Sequence, residues 1–225
     1  RARMTMPTVQ EPFSEVTHPH LRWWRTETGI EQVSEKETLR ARAAYWAMVA
    51  DMDAMIGQIL EAVHRNNLDD NLLVVYSSDH GDMLGEHGLW WKHVFYEQSI
   101  KVPLILSWPG MIPPAQRRAE TVSALDLTAT IVDALDAPAL PTSSGQSFLG
   151  LLTGTSSQWE NRAFSEYSSD EYGPPGGCYQ RMIRQDEWKL VYYHGQPPQL
   201  FNLAEDPDER VDLASSPACQ SIQQE

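Results

Sequence analysis

The clearest pattern in the chain is a helical repeat of apolar residues that follows a proline-rich amino-terminal stretch. Prolines at positions 7, 12 and 19 predict irregular structure over residues 1–33. From Ser34 the sequence predicts a helix that ends near Asn66, because Ser34 and Glu37 form a capping box. Its apolar positions share one face, which we expect to be buried: Leu39, Ala43, Trp46, Val49, Met52, Ile56, Ile59, Leu60 and Val63.

Short apolar runs follow this helix and predict strands. Residues 72–78 and 102–107 are too short for helices and rich in residues that favour strands. Ser123 and Asp126 predict the capped start of a second helix, which Pro138 stops. Helix and strand therefore alternate, as in an α/β domain.

The composition changes after the second helix. Residues 141–161 are rich in small and polar side chains and indicate a connection, with a short helix at residues 148–152. Four strand candidates separated by turns follow: residues 163–166, 179–184, 188–193 and 199–202. The sequence therefore predicts an α/β domain over residues 1–150 and a small α+β subdomain with an antiparallel sheet over residues 151–225.

Composition and charge narrow the class of protein. The net charge of -14 includes no basic block, which argues against nucleic acid as a partner. No apolar run approaches the ~20 residues that span a bilayer, which argues against a membrane segment. Cys178 and Cys219 are far apart and predict no disulfide, which favours a reducing compartment such as the cytoplasm. A periplasmic or secreted location stays open, because the chain begins at Arg1 and an original leader would not be visible.

Candidate chemistry follows the first predicted strand directly. Asp79 and His80 are two metal-ligand residue types, and Gly81 lets the backbone turn sharply. In open α/β sheets ligands gather at the carboxyl ends of strands, where this pair would lie. Lys92 supplies a cation thirteen residues after Asp79, on a loop rich in glycine and aromatic residues. The pattern predicts one edge of a site that combines a metal with an anion.

Other polar residues near this stretch have two interpretations. His18 and His20 could reach one metal, but no cysteine or carboxylate lies at metal-site spacing, so polar surface residues are the better interpretation. His87 could donate a proton to a leaving group or make a structural hydrogen bond, and position alone does not separate these roles. Asp82 and Glu86 are expected to hold the loop through backbone amides.

Residues 78–92, SDHGDMLGEHGLWWK, resemble the second signature block of the sulfatases, and in particular the choline sulfatase and phosphonate monoester hydrolase branch. The resemblance continues collinearly through VPLI at residues 102–105 and DLTAT at residues 126–130. It reaches QLFNLAEDP at residues 199–207, which resembles the segment that closes these chains. Several collinear blocks are far more specific than a single motif.

This resemblance implies a hydrolase of sulfate esters, or of phosphonate or phosphate monoesters, with a small anionic ester as its substrate. The implied fold is part of an alkaline phosphatase-like mixed sheet flanked by helices. Asp79 and His80 would ligate one divalent ion, for which calcium, manganese and zinc all suit the ligands. Lys92 would contact the ester oxygens, and His87 is a second catalytic candidate.

Three parts of the family pattern are missing from the sequence. The first is the C/S-x-P-x-R motif, whose Cys or Ser becomes the formylglycine nucleophile, and the second is a strand that ends in adjacent aspartates. The third is the upstream catalytic histidine, because the segment with His18 and His20 resembles the region after it. The chain therefore looks like the carboxyl-terminal half of a sulfatase, inactive alone, with the missing amino-terminal half as its partner. An exposed sheet edge would favour a homo-oligomer. A truncated, inactive binding module and a superfamily phosphodiesterase with a Thr or Ser nucleophile are the alternatives.

Overall fold

The proline-rich amino-terminal stretch forms a helix where the sequence predicts irregular structure. The computed structural model describes three ranges of the chain: residues 4–170, 173–174 and 177–222. Within them, α1 (Pro19–Glu27) shows that the prediction is wrong for these residues. Pro19 occupies the first helical turn, where its fixed φ suits the helix and its missing N–H costs no hydrogen bond. Leu21 and Trp24 from α1 are buried in the main core.

Helix α2 (Glu35–Arg65) confirms the predicted capping box. Ser34 Oγ accepts the N–H of Glu37 at 3.3 Å, and the Glu37 carboxylate accepts the N–H of Ser34 at 3.0 Å. Two amides at the start of the helix thereby gain partners. Although α2 has 31 residues, no helix in the described ranges is both long and apolar enough to cross a membrane.

The apolar face of α2 is largely exposed, so the prediction that it is buried is wrong within the described chain. Thr38 alone among the α2 residues is fully buried. Apolar periodicity shows which side chains share a face, whereas burial needs a second layer, and nothing in the described ranges covers this face. The large exposed apolar side chains of α2 are Trp46, Met48, Met52, Met55, Ile59 and Leu60.

Strands β1 (Val74–Ser77) and β2 (Leu104–Ser107) confirm the two predicted strands. They pair antiparallel along their whole length. The first strand residue of β2 comes directly after Pro103, which has no N–H to donate to a neighbouring strand. The segment between the strands contains a one-turn helix, α3 (Glu97–Ile100), and carries the candidate site.

Helix α4 (Ala124–Ala134) also begins with its predicted capping box, formed by Ser123 and Asp126. The second carboxylate oxygen of Asp126 accepts the N–H of Gln146 at 2.8 Å, which ties the following connection back to the helix. That connection leads into α5 (Leu149–Thr153), the short helix that the sequence predicts.

The carboxyl-terminal part of the chain forms the predicted antiparallel sheet, with its four strands in sequential order. Its strands are β3 (Arg162–Ser169), β4 (Cys178–Gln185), β5 (Trp188–Tyr193) and β6 (Gln199–Asn202). Each pairs antiparallel with the next. Cys178 and Cys219 are buried free thiols, which confirms that no disulfide joins them.

The main hydrophobic core joins distant parts of the sequence. It brings Trp24 of α1 together with Met83 and Leu89 of the site loop and Phe201 of β6. The amino-terminal segment therefore packs in one cluster with both the site loop and the carboxyl-terminal sheet. The division of the chain at residue 150 stays a prediction.

Two histidines lie in this interior. His20 is 1% exposed, and His87 is 3% exposed and stacks on Tyr96 with 4.0 Å between ring centroids. Burial lowers the pKa of each histidine to about 4, because a charged imidazole loses its hydration there. Both rings are therefore neutral near pH 7.

We expect acid to destabilise the fold through these histidines. Unfolded His87 binds a proton near pH 6.5, whereas folded His87 does so only near pH 4. Between these values the unfolded state binds more protons, so the free energy of unfolding falls as the pH drops. In urea unfolding, His87→Asn should shrink the stability difference between pH 7 and pH 4.5 by roughly 2 kcal/mol. His64→Asn, at an exposed position of α2, is the control, and an unchanged slope in His87→Asn would contradict the assignment.

A matched pair of leucines tests the difference between the core and the exposed face of α2. Leu200 is 0% exposed and Leu60 is 46% exposed. Leu200→Ala should lower the free energy of unfolding by about 2–5 kcal/mol, because it leaves a cavity in a closed core. Leu60→Ala should change it by less than about 0.5 kcal/mol. Urea denaturation measures both, and a large loss in Leu60→Ala would show that this face is covered in solution.

Candidate metal and anion site

The candidate site begins where β1 ends. Ser78 Oγ donates to the carbonyl of His80 at 2.8 Å, and Asp79 Oδ1 accepts the N–H of His80 at 3.0 Å. The Asp79 side chain is 84% exposed. The bond from the His80 N–H, aided by the nearby charge of Lys92, lowers the pKa of Asp79. Its carboxylate is therefore ionised at neutral pH and open to a ligand from solvent.

His80 presents a proton-free nitrogen. Its Nδ1 lies 2.7 Å from the carbonyl oxygen of Gly81, and because a carbonyl can only accept, Nδ1 carries the proton. In the neutral ring the lone pair then belongs to Nε2, the atom through which such a histidine binds a metal. Lys92 Nζ donates to this Nε2 at 2.6 Å.

The loop between His80 and Lys92 folds back and brings its two ends together. The N–H of Met83 donates to the carbonyl of Trp91 at 2.8 Å, which closes the loop just before Lys92. Asp79 Oδ2 lies 3.5 Å from His80 Nε2. The structure therefore places Asp79, His80 and Lys92, which the sequence predicts as one site, in one cluster.

Gly81 lets the chain pass against α3 at very short range. Its N–H donates to the carbonyl of Ser99 at 2.7 Å, and a Cβ at this position would lie 2.0 Å from the carbonyl oxygen of Gln98. Any side chain here would displace α3. The sequence predicts Gly81 as a turn residue, whereas the structure shows that only a glycine fits in the space beside α3. No sequence signal identifies Gln98 and Ser99 as the neighbours of Gly81.

Asp79 and His80, which we call the metal pair, fit part of a metal site. Their facing ligand atoms are 3.5 Å apart, near the about 3 Å that separates two ligands each about 2 Å from one ion. A carboxylate oxygen with a neutral imidazole suits calcium, manganese or zinc. The described ranges contain no group of three or more His, Cys, Asp or Glu side chains that could hold a metal ion. The pair therefore supplies part of a coordination sphere.

Acidic side chains anchor the loop, as the sequence predicts. The Glu86 carboxylate accepts the N–H of Thr8 at 2.9 Å and the N–H of Val9 at 2.8 Å. Asp82 Oδ1 accepts the N–H of Leu84 at 2.9 Å. Glu86 thereby ties the loop to the amino-terminal segment, 78 residues away in sequence.

His87 lies in the core rather than in the cluster with Lys92. Its Nε2 donates to the carbonyl of Asp208 at 3.0 Å, while its ring stacks on Tyr96. These contacts match the structural hydrogen bond that the sequence left open for His87. Its catalytic role stays a prediction, and nothing in its surroundings adds support to that role.

His18 and His20 are also interior residues. Their rings lie 4.4 Å and 5.3 Å from the ring of Tyr193, and His18 Nε2 donates to the carbonyl of Pro197 at 2.8 Å. Their interpretation as polar surface residues is therefore wrong. The alternation of histidine and proline in this segment carries no signal of burial, because burial comes from the packing of α1 on the distant sheet.

Comparison of sequences finds relatives with sulfatase names. The choline-sulfatase of Rhizobium meliloti (strain 1021) is 34% identical over 189 residues, which are 82% of this chain and 35% of that protein. Arylsulfatase K of Mus musculus is 35% identical over 188 residues, which are 81% of this chain and 34% of that protein. The chain thus spans about a third of the length of these relatives.

Comparison of structures confirms the predicted fold. The phosphonate monoester hydrolase of Agrobacterium radiobacter matches with a TM-score of 0.77 at 28% identity, over 86% of this chain and 41% of that chain. The phosphonate monoester hydrolase from Silicibacter pomeroyi matches with a TM-score of 0.83 over 97% of this chain and 47% of that chain. Its 24% identity bears on the fold alone. The chain has part of the alkaline phosphatase-like fold.

Two family profiles match the chain, over ranges that overlap. The profile described as "Sulfatase" matches residues 7–137, more than half of the sequence. The profile described as "N-sulphoglucosamine sulphohydrolase, C-terminal" matches residues 85–225. The first of these ranges contains the whole cluster of Asp79, His80 and Lys92 that the fold assembles at the end of β1. The chain therefore belongs to the sulfatase family.

Proposed function

We propose that the intact protein is a metal-dependent sulfatase that hydrolyses sulfate esters, and that this chain supplies one edge of its active site. The observation that carries the proposal is the cluster of Asp79, His80 and Lys92 at the carboxyl end of β1. It combines two metal-ligand side chains with a cation 2.6 Å from one of them. The relatives named choline-sulfatase and arylsulfatase K support a sulfate ester as the substrate class.

Asp79 and His80 would hold the divalent ion, with calcium, manganese and zinc all compatible with their atoms. When bound, such an ion polarises the ester oxygens and lowers the pKa of a nucleophile. Two features prepare the pair for this role before any ion arrives. The lowered pKa of Asp79 keeps its carboxylate ionised, and the Gly81 carbonyl holds the proton of His80 on Nδ1.

Lys92 would stabilise negative charge on the oxygens of the ester. An ammonium group has three N–H donors, of which one donates to His80 Nε2 in this structure. An ion at His80 Nε2 would take the lone pair that Lys92 uses here, so Lys92 would leave this nitrogen and all three of its donors would be available for oxygens of a bound sulfate. A fixed cation that meets charge as it develops in the transition state raises the rate of the chemical step.

The proposed nucleophile is a formylglycine that lies outside this chain, since the C/S-x-P-x-R motif does not occur in the sequence. The exposed face of α2 supports a further part of the parent protein. Trp46 and Ile59 of this helix are 54% and 64% exposed to solvent. Large apolar side chains exposed together are typical of a surface that packs against another part of a protein. The amino-terminal half of the parent would cover this face, and in its absence a second copy of the chain would give a homo-oligomer.

Hydrolysis of phosphonate monoesters is the second candidate function. The observation in its favour is the match to the phosphonate monoester hydrolase of Agrobacterium radiobacter, at 28% identity over 86% of this chain. Sulfate and phosphonate esters both present anionic oxygens to Lys92, so assays with both ester classes are needed to separate the two functions.

The metal role predicts that this chain binds Mn²⁺ at Asp79 and His80. Paramagnetic broadening in NMR spectra should be strongest at the amides of His80 and Gly81. Asp79→Asn should weaken binding at least tenfold, because a neutral amide replaces an ionised ligand. Asp51→Asn, which changes an exposed carboxylate of α2, is the control and should leave binding unchanged. Equal broadening in the two variants would contradict the assignment.

The division of the active site predicts the pattern of activity. This chain alone should not hydrolyse 4-nitrophenyl sulfate in the presence of Mn²⁺, because it lacks the nucleophile. In a full-length parent, Lys92→Ala should lower kcat/KM by about 10²–10³, the usual loss when one stabilising donor is removed. Lys36→Ala, at an exposed position near the start of α2, should leave kcat/KM unchanged. Turnover by the isolated chain would overturn the proposal that the nucleophile lies elsewhere.

A further inference from the structure

A cluster of four charged side chains lies at the start of α3, and three of its members come from the carboxyl-terminal part of the chain. This inner charge cluster consists of Glu97, Arg184, Lys189 and Glu209, with two positive and two negative charges. Lys189 Nζ lies 3.1 Å from Glu97 Oε1 and also pairs with Glu209 Oε1, and Arg184 Nη1 lies 3.1 Å from Glu97 Oε2. The side chains of Lys189 and Glu209 are fully buried. Buried ion pairs are often no more stabilising than apolar replacements, so stability alone does not explain why these charges are buried here. Their positions relative to α3 suggest another role.

Glu209 reaches the cluster from a strained turn. Its φ is 54°, a left-handed value that glutamate adopts only when its surroundings hold it there. Asp206 provides that hold, because its carbonyl accepts the N–H of Glu209 at 3.1 Å and its carboxylate accepts the N–H of Val211 at 2.8 Å. The turn directs a carboxylate into the interior, where Glu209 Oε2 accepts the backbone N–H of Glu97 at 2.7 Å.

From Glu97 the contacts lead directly to the metal pair. Glu97 is the first residue of α3, and Ser99 in the same turn accepts the N–H of Gly81 at 2.7 Å. Gly81 in turn accepts the Nδ1–H of His80 at 2.7 Å. A helix of one turn has too few internal hydrogen bonds to hold its own position. The position of α3 therefore depends on side chains from other parts of the chain that bind it.

We propose that Glu209 is a positioning residue for the metal pair. It fixes the start of α3 through the Glu97 amide and Lys189, and α3 fixes Gly81 and the ring of His80. The expected effect of Glu209 on metal affinity rests on the proposed function, in which Asp79 and His80 bind the ion. The expected effect on the Gly81 hydrogen bond does not depend on a metal, so an experiment can contradict either expectation without the other.

Two variants of Glu209 test this role in the full 225-residue chain. Glu209→Ala removes both the acceptor for the Glu97 amide and the partner of Lys189. Glu209→Asp keeps the charge but is about 1.5 Å shorter, one carbon–carbon bond, so its carboxylate should not reach the amide. Should Glu209→Ala fail to fold, Glu209→Asp carries the test. Glu209→Gln keeps one full-length acceptor for the Glu97 amide and loses the charge that pairs with Lys189, so it serves as the rescue variant for the amide contact.

Amide hydrogen exchange at Gly81 is the metal-independent readout. Glu209→Ala and Glu209→Asp should speed this exchange at least tenfold, and Glu209→Gln should stay within about threefold of the parent chain. Mn²⁺ affinity should fall by about 10–100-fold in the first two variants, the usual loss when support behind a ligand is removed. Leu151→Ala, a cavity variant in α5, controls for a general loss of stability and should change neither quantity beyond its effect on global unfolding.

The outcomes separate the two proposals. If Glu209→Asp matches Leu151→Ala in both Gly81 exchange and Mn²⁺ affinity, the positioning role is wrong and the proposed metal site stands. If the parent chain binds no Mn²⁺ at His80, the metal role is wrong, and Gly81 exchange still decides whether Glu209 positions the loop.

Discussion

The candidate site of this protein depends on one steric constraint, the close approach of Gly81 to α3. The space beside Gly81 is so narrow that a Cβ there would lie 2.0 Å from the carbonyl oxygen of Gln98. The chain leaving β1 is therefore pinned to a helix, and the hydrogen bond from Gly81 to Ser99 fixes the distance between them. With that point fixed, the orientation of His80 follows from its own bond to the Gly81 carbonyl. Backbone contacts, rather than contacts among reactive side chains, set the geometry of the site.

The sequence predicts most of the local structure because the signals for it are local. The capping boxes at Ser34 and Ser123 each need only residues three positions apart, and both form as expected. The strands of the carboxyl-terminal sheet follow from short apolar runs between turns. Where the expectation concerns a second layer, as for the apolar face of α2, it fails because periodicity carries no information about what packs on that face. The helix at Pro19 is missed because proline breaks a helix interior but favours a helix start.

The site itself could be predicted only in part. Asp79 and His80 are neighbours at the end of a strand, so their proximity is guaranteed, and Lys92 follows thirteen residues after Asp79 on the adjoining loop. The partners that hold them could not be found in this way. Glu209 and Glu97 are 112 residues apart in sequence. An acidic residue in a turn near the end of a chain is predicted to be exposed to solvent, so Glu209 gives no sign of its buried contact.

Because of that separation in sequence, the contacts around the site form late during synthesis of the chain. A ribosome emits the amino-terminal end first, so α2 with its capping box and the segment that carries Asp79 are exposed long before residue 209 emerges. Until then the N–H of Glu97 in α3 lacks the Glu209 carboxylate that accepts it. His87, on the same loop as Lys92, lacks the Asp208 carbonyl to which it donates. The complete set of contacts around Asp79, His80 and Lys92 is thus among the last features to form during synthesis. A chain cut short before Asp208 would keep every residue of the cluster and lose the contacts that Asp208 and Glu209 make with His87 and Glu97.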